Sequence, residues 1–243
     1  VAVAMSCSLV QRGALPLLPE AVRTRSALTC GADLVFALPA PCACAGAEAF
    51  ARAGVALLAA AGCDGLVFGA ETPDAALLME AAELLDSGSY RAALKAQLAG
   101  GARSFAAARQ AAAAQLASDE RVAALLDKPN NNLAVEYCRA IRSLAPRMEA
   151  YPLPRQGANH GEALHSAHGQ FASASALRKL WAEGGADAVA PYVPEAVFPL
   201  YQEAYAAGQY TDFSAAGRCE LALLRSACRG KAPFADIRGV SEG

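Results

Sequence analysis

The chain has 243 residues, enough for one large or two small domains with a real core. Hydrophobic residues make up 55% of it, which excludes an intrinsically disordered polymer. The formal net charge of −2 argues against a generally basic nucleic-acid binder and leaves room only for a local patch.

The first apolar run, residues 1–5, reads as a buried strand and lacks the basic opening of a secretory signal. A loop over residues 6–19 carries Gln11, Arg12 and Gly13. Residues 20–30 form a predicted helix stopped by Gly31, and residues 33–38 a second buried strand ended by Pro39. Residues 45–61 are alanine-rich with apolar helical spacing, ended by Gly62, and residues 65–69 (GLVFG) give a third strand. Apolar strands alternating with helices predict an α/β fold, a Rossmann-like parallel sheet with helices on both faces. No apolar run makes a clear membrane span; residues 50–66 come nearest, interrupted by Arg52 and Asp64.

The pattern then changes. Residues 74–127 are helical almost throughout, with helix caps expected at Ser104 and Ser118, and read as a helical insertion. Lys128-Pro129 marks a boundary before a helix running to about Leu144, with Asn130 and its neighbours as candidate N-caps. A strand is expected over residues 148–153, then a polar loop over 155–170 holding all three histidines. A helix starts near Ser173, and the chain beyond Gly184 is helical again, with a cap at 212–214. The resulting division is an α/β part over 1–73, the insertion over 74–127, completion of the α/β part over 128–185, and a helical C-terminal region over 186–243.

Eight cysteines are present, with a CxC at Cys42 and Cys44 but no CxxC pair. In so core-rich a chain they read as reduced and mostly buried thiols rather than a disulfide frame or a metal site.

The stretch FASASALRK, residues 171–179, combines two hydroxyls and a guanidinium at a helix start. Helix N-termini expose unpaired N–H groups and carry partial positive charge, so anions bind there. Ser173, Ser175 and Arg178 therefore suit either an ordinary cap with a surface arginine or a phosphate clamp.

Taken with other segments, this stretch resembles the phosphate-binding signature of the HxGH-type nucleotidyltransferases. AMSCSLVQRG (4–13), GADLVFALP (31–39), the run from 47 to FGAE at 68–71, KPNNNLAVEY (128–137), PRQGANHGE (154–162) and PYVPE (191–195) together resemble the tRNA(Met) cytidine acetate ligase family. The resemblance implies ATP, with Mg2+, as the nucleotide, acetate as the acyl donor and elongator tRNA(Met) as the partner, in the cytoplasm and without a membrane. It implies an acetyl-adenylate intermediate and transfer of acetyl to N4 of the wobble cytidine. Carried over by position, Gly69, Asn130, Asn131, Arg155, Ser173, Ser175 and Arg178 would hold the nucleotide. Gln11, Arg12 and His160 would shape the acetate or tRNA end. Without the family, Gly69 is equally a plain strand-end turn, one or both asparagines are caps, and His160 is an exposed loop histidine.

Departures are visible. The family opens with a strand and an HxGH motif that this sequence does not contain, and its C-terminal part is longer. The chain is therefore expected to be a fragment, impaired in catalysis and prone to self-association through an exposed sheet edge. Cys7 and Ala14 replace a family glycine and acid, and Glu20 an expected lysine. Two other readings stay open: a different adenylyltransferase of the superfamily, or a non-catalytic nucleotide- or RNA-binding remnant. For RNA, Arg139, Arg142, Arg147, Arg225, Arg229 and Lys231 are the candidate contact surface.

Overall fold

The computed structural model describes residues 1–101, 104–155 and 172–229. Strand β1 (Ala2–Ser6) leads through a 3-10 turn at Gln11–Gly13 into helix α1 (Glu20–Thr29), and the chain returns as β2 (Leu34–Leu38), parallel to β1. The short α2 (Ala40–Ala43) and the long α3 (Ala47–Ala60) precede β3 (Gly65–Ala70). Four helices follow: α4 (Ala75–Asp86), α5 (Gly88–Ala99), α6 (Phe105–Leu116) and α7 (Glu120–Leu125). Helix α8 (Pro129–Leu144) then leads to β4 (Glu149–Pro154), which pairs in parallel with β3. The chain ends its described part in α9 (Ala174–Val189), α10 (Phe198–Ala206) and α11 (Phe213–Arg229).

The α/β class and the parallel pairing agree with the sequence. The described strands form two separate parallel pairs. Among the described residues, β1 pairs only with β2, and β3 only with β4. Between the two pairs lies a cavity of about 720 Å³, walled by Val1–Ala4 on one side and Asp64–Val67 on the other, with Gly54 and Leu58 of α3 also lining it. A strand pairs through its backbone edge, and apolar runs in sequence carry no mark of which edges meet. Val67 and Leu34 are left exposed, so the chain presents the apolar sheet surface that a buried β run would normally hide.

The larger core is built where helices pack on β3. Leu66, Phe68 and Ala70 alternate inward, as a half-buried strand requires, and meet Leu78, Val122, Leu125, Val135, Ile141 and Met148. Alanines at 81, 82, 112, 113 and 134 are fully buried, so helix axes approach closely with little side-chain entropy to lose. A second core gathers Leu18 and Val22 with Trp181, Ala186, Val189 and Ala204, joining α1 to α9 and α10. There Gly185 adopts φ 68° and interrupts α9; a Cβ on it would sit 2.5 Å from the Tyr205 ring. Only glycine suits both the backbone and the close approach.

Helix caps are mostly local. Asp74, Ser87, Ser104 and Asp119 accept from the amides of Leu77, Tyr90, Ala107 and Arg121. The cap expected at Ser118 is a correction: its hydroxyl donates to Glu80 at 2.7 Å, and the neighbouring Asp119, a charged acceptor, caps α7 instead. The cap at 212–214 is borne out, with Asp212 accepting from the amides of Ser214 and Ala215.

Two further expectations change. The described cysteines are all free, but only Cys138 is buried, where desolvation pushes its thiol up to about 12. Arg139, assigned to an RNA-facing surface, is instead half-buried in an ionic cluster. It donates to Asp86 at 2.8 Å and to the buried Glu136 at 2.7 Å, while Arg109 meets the other Glu136 oxygen at 2.6 Å. A carboxylate this buried needs both partners, so Arg139 is committed to the core. Arg142 lies 3.6 Å from Glu83, whereas Arg147 and Arg225 remain exposed. Lys231 lies outside the described residues, and nothing is described of the Arg229 side chain.

Candidate functional site

The carboxyl ends of β3 and β4 bring three of the candidate residues together. In a parallel sheet, ligands bind beyond those ends, where connecting loops diverge. Gly69 sits opposite Leu153 in the register, and the Arg155 amide donates to Ala70 O at 3.1 Å, extending the pairing by one residue. This places the Arg155 side chain beside Gly69: a Cβ on the glycine would lie 3.6 Å from Arg155 Cγ. The exposed Gly69 thus leaves its strand end open beside a guanidinium. Arg155 Nη1 donates to Asn130 Oδ1 at 3.1 Å, which completes the group.

The two asparagines have different environments. Asn131 is 1% exposed, and both ends of its amide are used: Oδ1 accepts from Thr72 N at 2.9 Å and Nδ2 donates to Thr72 Oγ1 at 3.1 Å. It fastens α8 to the segment after β3. Asn130 is half-exposed and faces Arg155, so it is the asparagine available to a ligand.

Neither residue caps α8 in the expected way. Lys128 occupies the N-cap position without a side-chain bond, and Pro129 follows at the first helical position. The first-turn amides are closed by Glu71, which follows β3. Its Oε1 accepts from Asn130 N at 3.2 Å and from Asn130 Nδ2 at 2.6 Å, and its Oε2 from Asn131 N at 2.6 Å. Partial burial pushes the Glu71 carboxyl up, but these hydrogen bonds outweigh it and hold the group below the ordinary carboxylate value. Asn132 turns its amide back to Leu126 O at 2.7 Å. Glu71 is the functional candidate that residue-by-residue reading passed over. It stood in the FGAE segment, but its partner helix begins far along the chain.

The second group of candidates stands at the start of α9. Ser173 is the N-cap of α9 and accepts from Ala176 N at 3.2 Å, so its hydroxyl lone pair is already engaged. Ser175 is exposed in the first turn. Arg178 lies over the Phe213 ring, 5.8 Å from its centroid. Among the described residues no hydrogen bond or ion pair joins Ser173, Ser175 or Arg178 to Gly69, Asn130 or Arg155. The structure therefore joins Arg155 to Asn130 beside Gly69, and at α9 it shows the contacts of Ser173 with Ala176 and of Arg178 with Phe213.

Gln11 lies half-buried in the 3-10 turn, on a loop pinned from both sides. Arg23 donates to Leu18 O at 3.0 Å, to Ser6 O at 2.7 Å and also to Cys7 O. Thr211 holds the far side through its hydroxyl to Pro16 O at 2.6 Å and its amide to Leu17 O at 2.8 Å. Cys7 and Glu20, both departures from the resembled family, line one cavity there of about 450 Å³. Burial first, then the Glu20 charge, pushes the Cys7 thiol up, so it does not behave as an activated nucleophile. Nothing is described of the Arg12 side chain, and His160 lies outside the described residues.

Known proteins share this arrangement of elements. The crystal structure of Thermotoga maritima TmcAL bound with alpha-thio ATP matches with TM-score 0.75 and 28% identity, over 86% of this chain and 49% of that one. The apo form I structure of the same protein matches with TM-score 0.78 and 30% identity, over 86% and 50%. The tRNA(Met) cytidine acetate ligase of Syntrophotalea carbinolica is 41% identical over 187 residues, 76% of this chain and 44% of the relative. That of Caldanaerobacter subterraneus subsp. tengcongensis is 34% identical over 250 residues, 100% of this chain and 60% of the relative. The chain spans about half the length of the curated relatives it matches. A family model described as HIGH Nucleotidyl Transferase covers residues 1–243. With that match along its whole length, and a parallel fold shared at 28–30% identity with an ATP-analogue-bound relative, the chain belongs to the HIGH nucleotidyl transferase family.

Proposed function

We propose that this chain is the nucleotide-handling part of an ATP-dependent acetate–tRNA ligase that forms N4-acetylcytidine at the wobble position of elongator tRNA(Met). The observation that carries the reading is the Gly69–Asn130–Arg155 group at the carboxyl ends of β3 and β4. The relatives named tRNA(Met) cytidine acetate ligase support the substrate assignment.

In the first step an acetate oxygen attacks the α-phosphorus of ATP and pyrophosphate leaves with the bridging oxygen's electron pair. In the second, the cytidine N4 amine attacks the acetyl carbonyl, AMP departs and N4 loses a proton. The protein's part is to hold the nucleotide in line and to stabilise the charge that builds on the departing pyrophosphate. Asn130, Arg155 and the open backbone at Gly69 would seat one end of the nucleotide. Ser175, Arg178 and the α9 N-terminus would hold an anionic end once Arg178 leaves Phe213. Gln11 and Arg12 would border the acetate or tRNA end, together with His160. No group of three or more His, Cys, Asp or Glu side chains that could hold a metal is gathered among the described residues. Mg2+ would be carried mainly on the phosphate oxygens, as is usual for that ion. Among the described residues no helix is long and apolar enough to cross a membrane, which accords with a tRNA substrate in the cytoplasm. Residues 74–127 serve in this reading as a helical insertion that supports α8.

The test is incubation of the longest natural form of the protein with ATP, labelled acetate and elongator tRNA(Met), followed by mass spectrometry of the digested nucleosides. N4-acetylcytidine is expected, dependent on all three substrates. Pyrophosphate release that needs a different acceptor would replace the reading with another adenylyltransferase, and ATP binding without turnover would leave a non-catalytic binder.

A further inference from the structure

We propose that Glu71 is a positioning residue that decides which end of the nucleotide lies at Gly69: this end takes the uncharged base and sugar, and the phosphates are kept away. The inference rests on the nucleotide-binding reading above and adds an orientation to it.

Three groups here would otherwise attract an anion. They are the first-turn amides of α8, the Asn130 side-chain N–H and the Arg155 guanidinium. Glu71 engages the first two directly. One carboxylate oxygen takes the Asn130 amide and Nδ2, and the other takes the Asn131 amide. The helix mouth is thus already filled by a built-in anion, held ionised by the same bonds. A phosphate arriving there would meet occupied donors and a like charge.

The same carboxylate fixes the Asn130 amide. With Nδ2 drawn to Glu71, Oδ1 is turned to Arg155 Nη1 at 3.1 Å, and the guanidinium is held beside Gly69. A planar cation over a bare strand end suits stacking on a base and donation to its acceptors. Among the described residues Asn130 keeps one free amide hydrogen and one free lone pair, enough to read a neutral edge. Glu71 sets a negative charge close to the Arg155 cation through Asn130, so this corner favours a triphosphate less than the cation alone would.

The experiment measures binding of three probes to the 243-residue chain by calorimetry: ATP, adenosine and inorganic tripolyphosphate. Glu71→Gln removes the charge and keeps the shape. It should weaken adenosine and ATP alike, by tenfold or more, while tripolyphosphate binds as well as before or better. Arg155→Ala, at an exposed position, should reproduce the adenosine loss, and the double variant should lose no more than either alone, because both act through one chain of bonds. A merely structural Glu71 would lower affinity for all three probes together, and that result overturns the proposal. So does unchanged adenosine affinity in either variant while the unaltered chain binds it. Failure of the unaltered chain to bind ATP or adenosine at all would instead sink the nucleotide-binding reading, and this inference with it.

Discussion

Helices α8 and α9 close their first turns in opposite ways. At α8 the acceptor is a carboxylate from the end of β3, 59 residues earlier than Asn130. At α9 it is the hydroxyl of Ser173, the residue before the helix. A carboxylate at a helix N-terminus spends the partial positive charge there. A neutral hydroxyl satisfies one amide and leaves the rest of the turn attractive to anions. The α8 mouth is therefore a finished structural joint, and among the described residues the α9 mouth is closed only by its own serine. The proposed anion contact is therefore placed at α9, although both helices begin with residues the sequence offered as nucleotide ligands.

The largest effect that would sharpen this contrast is expected at Asn131. Asn131→Ala leaves the half-buried Thr72 amide without its acceptor, empties the buried Asn131 site and removes one of the ties between α8 and the segment after β3. An unmade buried bond costs ~1–3 kcal/mol, so a loss near the top of that range is expected, read as a shift of the urea midpoint at unchanged slope. A loss below about 1 kcal/mol would mean that the α8 joint is not the rigid element described.

Glu71→Gln comes next, at on the order of 1.5 kcal/mol, since charge-assisted bonds are replaced by weaker ones at a half-exposed site. Its pH dependence is the sharper measurement. The folded-state carboxyl sits below its ordinary value, so its stabilisation is fully present above the unfolded carboxyl range and is lost as pH falls through the folded value. The gap between the unaltered chain and Glu71→Gln should stay constant from neutrality down to about pH 5 and narrow below about pH 4.3. A gap that widens on acidification would contradict an ionised cap.

The same contrast explains what could be read in advance. Ser173, Asp212 and Ser104 cap helices that begin one residue later, and the strand runs 34–38 and 65–69 carry their own apolar signature, so these features are local. Glu71 acts across a long sequence separation, and nothing in FGAE says which amides it will meet. Which strand pairs with which has the same origin, because edge pairing is decided by where strands lie in space. Arg139 resembled any helical surface arginine until its carboxylate partners, one of them on α4, came within reach. Gly69 and Arg155 were legible because a family pattern named both, and the structure adds that the Arg155 side chain lies beside the glycine.

Ser173→Ala should cost ~1 kcal/mol, the usual worth of a neutral cap, and should not propagate beyond α9. If it destabilised the chain as much as Asn131→Ala, the two helix mouths would be joints of the same kind.

The smallest expected effect on stability is at Arg178, and it is the most informative about ligand binding. The guanidinium lies over Phe213, itself 38% exposed, in a contact worth ~0.5–1 kcal/mol at such sites. Arg178→Ala should therefore barely move the urea midpoint. Charge-assisted bonds to a phosphate are worth more, ~1.5–3 kcal/mol, so tripolyphosphate affinity should fall about tenfold or more if the arginine swings from the ring to an anion at the α9 mouth. Arg178→Lys keeps the charge but not the planar fork, and it should recover only part of that affinity. Loss of stability with no change in tripolyphosphate binding would make Arg178 a packing residue, and α9 would then be as closed to phosphate as α8.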